Sequence, residues 1–239
     1  MKQSKLLLSL AFVLFLQPSL RCGEWVIKHT AYYITAKEES FHGFPPPPAA
    51  GSPEERADMT AMRDWELKRS TQQCQGALSE KYATYDEFFG DISPFPRPLP
   101  PAAAAILEHI RDDADTAADI IKKRFARERP FRKDQSLDPC LGRVGGLSYP
   151  SGHATISRLY ALVLSDVRPS MRGEFLARAD QAALYRVIGG VHYPSDVEAG
   201  KKLADMLYSA FRKSHAFRRD LETLRRLVKK GAPVEPAKK

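Results

Sequence analysis

From residue 102 onward the apolar positions of this chain keep a helical period. Ile106, Ile110, Ala114, Ala117, Ile121 and Phe125 recur every three or four residues, with Asp112, Asp113, Asp115 and Asp119 mostly on the opposite side. That spacing predicts one long amphipathic helix ending before Pro130. Further helices are predicted over 152–167, 171–188 and 194–215, punctuated by Gly145-Gly146, Pro169 and Gly189-Gly190. Upstream, Ser52 and Pro53 read as the cap and first position of a helix running towards Glu80, with Met59, Met62, Trp65 and Leu67 on its buried face. Phe44 and Pro45 to Pro48 form a stiff extended segment, prolines 94, 96, 98, 100 and 101 mark a turn-rich connection, and residues 31–40 show no clear period. No strand hairpin or internal repeat stands out. The predicted architecture is an all-α helical bundle, in which residues 23–101 form an N-terminal helical arm packed on a core of residues 102–217.

Composition changes this picture little. A chain of 239 residues with 43% hydrophobic content can build a core, which excludes a collagen, a long coiled coil or wholesale disorder. Charge changes it more. The net +8 sits at the two ends, +3 within residues 1–21 and +5 within residues 218–239, so the body between them is neutral. A nucleic acid polymer is therefore not an expected partner, and the basic C-terminal tail, residues 218–239, reads as a solvated helix end. Residues 1–22 read as a signal peptide: Lys2 and Lys5, the apolar run Leu6 to Leu16, then Gln17, Pro18 and Ser19. That run is shorter than the about 20 residues a bilayer span needs. No second one follows, so the mature protein is expected to be periplasmic or secreted, without stable membrane insertion. An oxidising compartment permits a Cys74–Cys140 disulfide, the other reading being two free thiols. A homo-oligomer is compatible with the sequence.

Three clusters carry candidate chemistry. In "KKRFARERP", Lys122 and Arg129 stand seven residues apart. On one helix this places them on one face, about 10 Å apart along the axis, able to converge on an anion; the bland alternative is a basic helix end that complements the dipole. In "YPSGHAT", Ser151 is placed as an N-cap that aims the amides of Gly152, His153 and Ala154 outward, or simply caps a helix beside an incidental histidine. In "YRVIGGVHYPSD", Arg186, His192 and Asp196 put an imidazole just before a helix N-terminus and a carboxylate in its first turn, close enough to orient it. Alone, that pair also reads as a capping Asp beside a packed histidine. The remaining histidines, His29, His42, His109 and His215, lack ligand spacing, and neither a cofactor nor a metal is expected. The Asp-rich side of the long helix reads as solvated surface.

Taken together the clusters resemble the tripartite signature of the type 2 phosphatidic acid phosphatase superfamily. More narrowly the chain is similar to the bacterial class A non-specific acid phosphatases, since "FPPPPAAGS", the "RP" helix, a downstream Cys, "SYPSGH" and "RVIGGVHYPSD" occur in that order over most of residues 30–217. It departs from the family at Tyr185, where Ser commonly precedes the Arg, and at Gly189, where class A members commonly have Cys. The resemblance implies a histidine phosphatase site in the bundle core and hydrolysis of small phosphate monoesters, with broad specificity and no metal. It implies His192 as nucleophile, His153 as general acid, Asp196 holding His192, and Lys122, Arg129, Arg186, Ser151 and the Gly152 amide binding the phosphoryl oxygens. Three cations and backbone amides suit a transition state that spreads charge over three equatorial oxygens. Two histidines in opposite protonation states would give a bell-shaped rate profile on the acid side of neutral. The competing readings are a vanadate-dependent haloperoxidase, whose anion resembles the phosphoryl transition state, and a non-catalytic periplasmic module that binds anions.

Overall fold

The computed structural model describes residues 31–35 and 41–228. The expected signal peptide, residues 1–22, and the end of the basic tail lie outside them. Helices α1 (Pro53–Lys68), α2 (Thr71–Leu78) and α3 (Tyr85–Phe89) form the arm; α4 (Pro101–Phe125), the short α5 (Pro130–Lys133), α6 (Gly152–Val167), α7 (Arg172–Ile188), α8 (Pro194–Phe211) and α9 (His215–Leu227) form the core. Among the described residues there is no strand, and the architecture is the expected helical bundle.

Helix α6 is apolar nearly all round, so it is stable only where neighbours cover every side. It runs through the middle, packed by α7, α8 and α4, with Leu159, Tyr160, Val163 and Leu164 fully buried. The period read for α4 is observed: Ile106, Ile110, Ala114, Ala117 and Ile121 are buried, while Phe125 is partly covered. Its acidic side is less simple than a solvated face. Asp113 is fully buried and accepts main-chain N–H bonds from Tyr32 (2.8 Å) and Tyr33 (2.9 Å), which ties the start of the arm to the core.

Three other expectations are corrected. The helix read as continuous from Ser52 towards Glu80 stops at Lys68, because Ser70 and Gln73 form a capping box that starts α2 on a new axis. Met62 is buried on α1 as expected, but Leu67 is 85% exposed. At the other end, the basic tail begins as a core element. Phe217, Leu221 and Leu224 of α9 bury one face against the bundle, and its arginines occupy the other. Charge counting misses this, because an amphipathic helix can carry a high net charge and still bury an apolar stripe.

Cys74 on α2 is disulfide-bonded to Cys140, 66 residues downstream in the loop between α5 and α6. Closing a loop of that length removes denatured-state entropy worth about 4 kcal/mol. The double variant Cys74→Ser, Cys140→Ser is therefore expected to lose up to that amount of unfolding free energy in urea melts; an unchanged midpoint would show that the bond does not stabilise the fold. No helix among the described residues is long and apolar enough to cross a membrane.

Candidate active site

The end of α7 and the start of α8 build the first part. After Ile188 the chain reverses at Gly189 and Gly190, and Gly190 has φ +82° with Pro139 so near that a Cβ would sit 2.8 Å from its Cα. The amides of Val191 and His192 both donate to the Arg186 carbonyl (3.2 Å each), which folds His192 back over the end of α7. Pro194 then opens α8, and Asp196 in its first turn is fully buried. Its Oδ2 accepts from the Tyr193 amide (3.0 Å), from the Ser148 hydroxyl and from His192 Nδ1 (3.4 Å). Capping carboxylate and imidazole orienter are thus one residue. With Nδ1–H turned to Asp196, Nε2 of His192 keeps its lone pair, and Arg129 Nη1 lies 3.2 Å from it.

The cations arrive by a different route from the one expected. Lys122 and Arg129 do not share a helix: α4 ends at Phe125, Ala126 takes a left-handed conformation (φ 48°), and Arg129 sits at the N-cap of α5. The turn, not helical periodicity, brings them together. Lys122 Nζ donates to the carbonyls of Leu147 (3.0 Å), Ser148 (3.4 Å) and Pro150, so it also clamps the loop that carries "SYPSGH". Arg129 donates from Nε to Gly145 (3.0 Å) and from Nη1 to Val191 (2.8 Å). Arg186 in the last turn of α7 is 5% exposed, and its Nε and Nη1 find no hydrogen-bond partner among the described residues. Buried N–H groups are rarely left so, and two on one guanidinium call for an anion.

Electrostatics point the same way. Burial first, and repulsion from Arg129 second, push Lys122 down to about 7 and Arg186 down to about 9; burial also lowers Arg129 to about 10. Arg129 thus opposes the charge on both Lys122 and Arg186, an opposition that a dianion relieves.

The third part is the N-terminus of α6. Ser151 is buried at the N-cap, its Oγ accepting from the Ala154 amide (3.4 Å), and its amide donates to the Asp196 carbonyl (2.9 Å). Gly200 makes this junction of α6 and α8 possible, since a Cβ there would sit 2.5 Å from the Ser151 carbonyl oxygen. His153 Nε2 is 3.0 Å from the Glu80 carbonyl, so the arm holds this ring. Both histidines are pushed well below their usual value, His192 by burial, then Arg129 and Lys122, and His153 by burial, then Arg186 and His192. Both shifts disfavour the protonated imidazole, so the opposite protonation states expected of the pair call for a further negative charge at the site. A bound phosphoryl dianion opposes the shift on His153.

All eight expected residues therefore meet where the C-terminal ends of α4 and α7 face the N-terminal ends of α6 and α8. That arrangement places Lys122 and Arg186 in the last turns of α4 and α7; the Ala154 amide, expected to point outward, is instead taken by Ser151 Oγ. Sequence reasoning missed Asp58, Glu80, Arg127, Ser148 and Ser195, which hold the site from outside. Arg127 lies within the basic run but looked like any other member of it, Ser148 and Ser195 sit inside the motifs "SYPSGH" and "RVIGGVHYPSD" without a role read for them, and Asp58 and Glu80 carried no local signal. Asp115, assigned to solvated surface, lies close to Gly152: a Cβ there would stand 3.8 Å from its Oδ1. The two departures from the family pattern are accommodated by packing. Tyr185 lays its phenol over Gly76 of α2, with the hydroxyl 2.5 Å from where a Cβ would stand, and Gly189 is covered by Leu141.

Residues 103–218 match the PAP2 superfamily. The chain is 30% identical over 227 residues to the acid phosphatase of Zymomonas mobilis subsp. mobilis, covering 86% of this chain and 83% of that protein. It is 29% identical over 214 residues to the non-specific acid phosphatase of Providencia stuartii, covering 82% and 84%. The crystal structure of a transmembrane PAP2 type phosphatidylglycerolphosphate phosphatase from Bacillus subtilis shares the fold, with a TM-score of 0.50 at 16% identity over 69% of this chain and 87% of that one. Because the likeness to the acid phosphatases extends beyond the core into the arm, the chain belongs to the PAP2 superfamily as a class A acid phosphatase, a phosphoric monoester hydrolase.

Proposed function

We propose that this enzyme hydrolyses small phosphate monoesters of broad structure without a metal, through a phosphohistidine at His192, in the periplasm or outside the cell. The observation that carries this reading is the pairing of an Asp196-oriented His192 with buried Arg129 and Arg186 and half-buried Lys122, the Nε and Nη1 of Arg186 being unpartnered among the described residues. The Cys74–Cys140 disulfide supports an oxidising compartment.

In the first step Nε2 of His192 attacks phosphorus and the P–O bond to the alcohol breaks. Arg129, Arg186, Lys122, the Ser151 hydroxyl and the Gly152 amide take up the charge that spreads over the equatorial oxygens. His153 delivers a proton to the departing alkoxide, and Asp196 stabilises the charge that His192 acquires. In the second step His153 takes a proton from water as that water attacks phosphorus, and phosphate leaves with His192 restored.

Rapid mixing with a labelled aryl phosphate, followed by an alkaline quench in EDTA, is expected to trap one acid-labile, alkali-stable phosphoryl group per chain, bound to His192. Turnover that persists in EDTA without any phosphoenzyme would require direct attack by water, and turnover lost in EDTA would require a metal.

A further inference from the structure

Asp196 is held from two sides, and the site described above uses only one. Its Oδ2 faces His192, while its Oδ1 takes a 2.6 Å bond from Arg127 Nη1. The same nitrogen is 2.7 Å from the Ser195 hydroxyl, and Arg127 Nη2 is 2.8 Å from Asp58 Oδ2 on α1. Asp58 in turn accepts the Ser195 amide at Oδ1 (3.0 Å) and the Ser195 hydroxyl at Oδ2. The guanidinium lies over the Tyr193 ring, 4.0 Å from its centroid. Water is nearly absent: the side chains of Arg127, Asp58 and Asp196 are 9%, 6% and 0% exposed. The result is a row of alternating charge, Asp58, Arg127, Asp196, that starts in the arm and ends on His192. Burying two carboxylates and a guanidinium is costly, and a hydrophobic contact would join arm to core at least as well.

We propose that Asp58 and Arg127 are positioning residues of the hydrolysis, a strut from the arm that fixes the Asp196 carboxylate in the orientation from which it grips His192. This rests on the reading of His192 as nucleophile given above. Held by Arg127, Oδ1 cannot rotate towards the imidazole. Asp58 restrains Arg127 so that the guanidinium charge does not draw Asp196 away. The arm is then part of the active site, although none of its side chains is placed on the phosphoryl group.

Two variants separate this from a merely structural contact, because they move charge at His192 in opposite senses. Besides Asp196, the charged groups facing His192 are Arg129, Lys122 and Arg186; those facing Arg127 are Asp58, Asp196 and, more distantly, Glu55. Arg127→Met removes a positive charge, so His192 gains a proton more readily and the acidic limb of kcat/KM moves to higher pH, by about one unit at effective dielectric 20. Asp58→Asn removes a negative charge and moves that limb to lower pH. In both, kcat falls about 10- to 100-fold, as for a slightly misaligned nucleophile, with KM within threefold.

The measurements are kcat and KM of the full chain across pH 3–8, with thermal unfolding as the check on folding and His192→Ala run in parallel. Unmoved limbs in folded variants, whatever the loss of rate, reduce the strut to a structural contact and overturn the proposal. Should Arg127→Met not fold, Asp58→Asn, which keeps the side chain's size, decides alone by the direction of its shift. Activity surviving in His192→Ala refutes the nucleophile itself; loss there, with parental profiles in both strut variants, refutes only the strut.

Discussion

His192→Ala is expected to lower kcat on a phosphate monoester by about a million-fold, the scale seen when a covalent nucleophile is removed from a preorganised site. The same variant is expected to keep its affinity for inorganic phosphate within about tenfold. The two halves of that result come from different groups. His192 Nε2 lies beside Arg129 with Nδ1 committed to Asp196, so removing the ring removes the group placed to attack phosphorus. The cations, by contrast, are placed by their own partners: Lys122 by the carbonyls of the 147–150 loop, Arg129 by Gly145 and Val191, Arg186 by the last turn of α7. Removing the imidazole leaves them in position and relieves none of their mutual repulsion. Calorimetry with phosphate and steady-state kinetics with an aryl phosphate read the two halves separately. A variant retaining a tenth of parental kcat would end the case for covalent catalysis at this residue.

His153→Gln is expected to show a loss that depends on the leaving group. For an alkyl phosphate, whose alkoxide departs poorly without a proton, kcat falls by about ten thousand-fold, the upper range for general acid catalysis. For p-nitrophenyl phosphate, whose phenolate is stable, the loss of the phosphorylation step is much smaller. A uniform loss across leaving groups would make His153 a binding residue instead. The pH dependence has a definite sign. Only the protonated ring can donate, so rate is lost as pH rises through the His153 pKa in the substrate complex. Burial, Arg186 and His192 push that pKa down, while the substrate dianion and the main-chain carbonyls of Glu80 and Lys81 push it up. The alkaline limb of kcat for the alkyl ester should vanish in His153→Gln.

Stability follows the same groups in a predictable direction. A histidine whose folded pKa is depressed takes up its proton in the unfolded chain first, so its stabilising contribution is complete above about pH 6.5 and is lost as pH falls through the folded value. His153 and His192 both behave this way. An enzyme working in acid therefore leans on its phosphoryl ligand, and on the disulfide that ties α2 to the 140s loop, to hold a site that acid alone would loosen.

Much of this was legible in the chain. The helices predicted over 152–167 and 194–215 follow from local periodicity and punctuation, because a 3.6-residue period is a property of neighbours in sequence; the second stops at Phe211, and Ser214 caps a new helix from His215. The His192–Asp196 pair straddles one helix start, and Ser151 is an N-cap, for the same local reason. The expectation for Lys122 and Arg129 reached the right place by the wrong path, since two residues seven apart suggest a shared face only if the helix continues, and here it ends at Phe125. Leu67 and Leu221 show the limit from the apolar side. Both look alike in sequence, yet one is 85% exposed and the other is buried, because burial depends on which element packs against each.

What the sequence determined by itself is the set of helices and the chemistry of three clusters, each readable within about ten residues. Tertiary structure alone decided that the clusters share one point, that Cys74 reaches Cys140, and that Asp58 meets Arg127 across 69 residues and Ser195 across 137. The physical reason is the difference between local and non-local energy. Periodicity, caps and turns are set by the nearest few residues. The strength and role of a charge are set by how much water packing removes from it, and by which distant partner replaces that water.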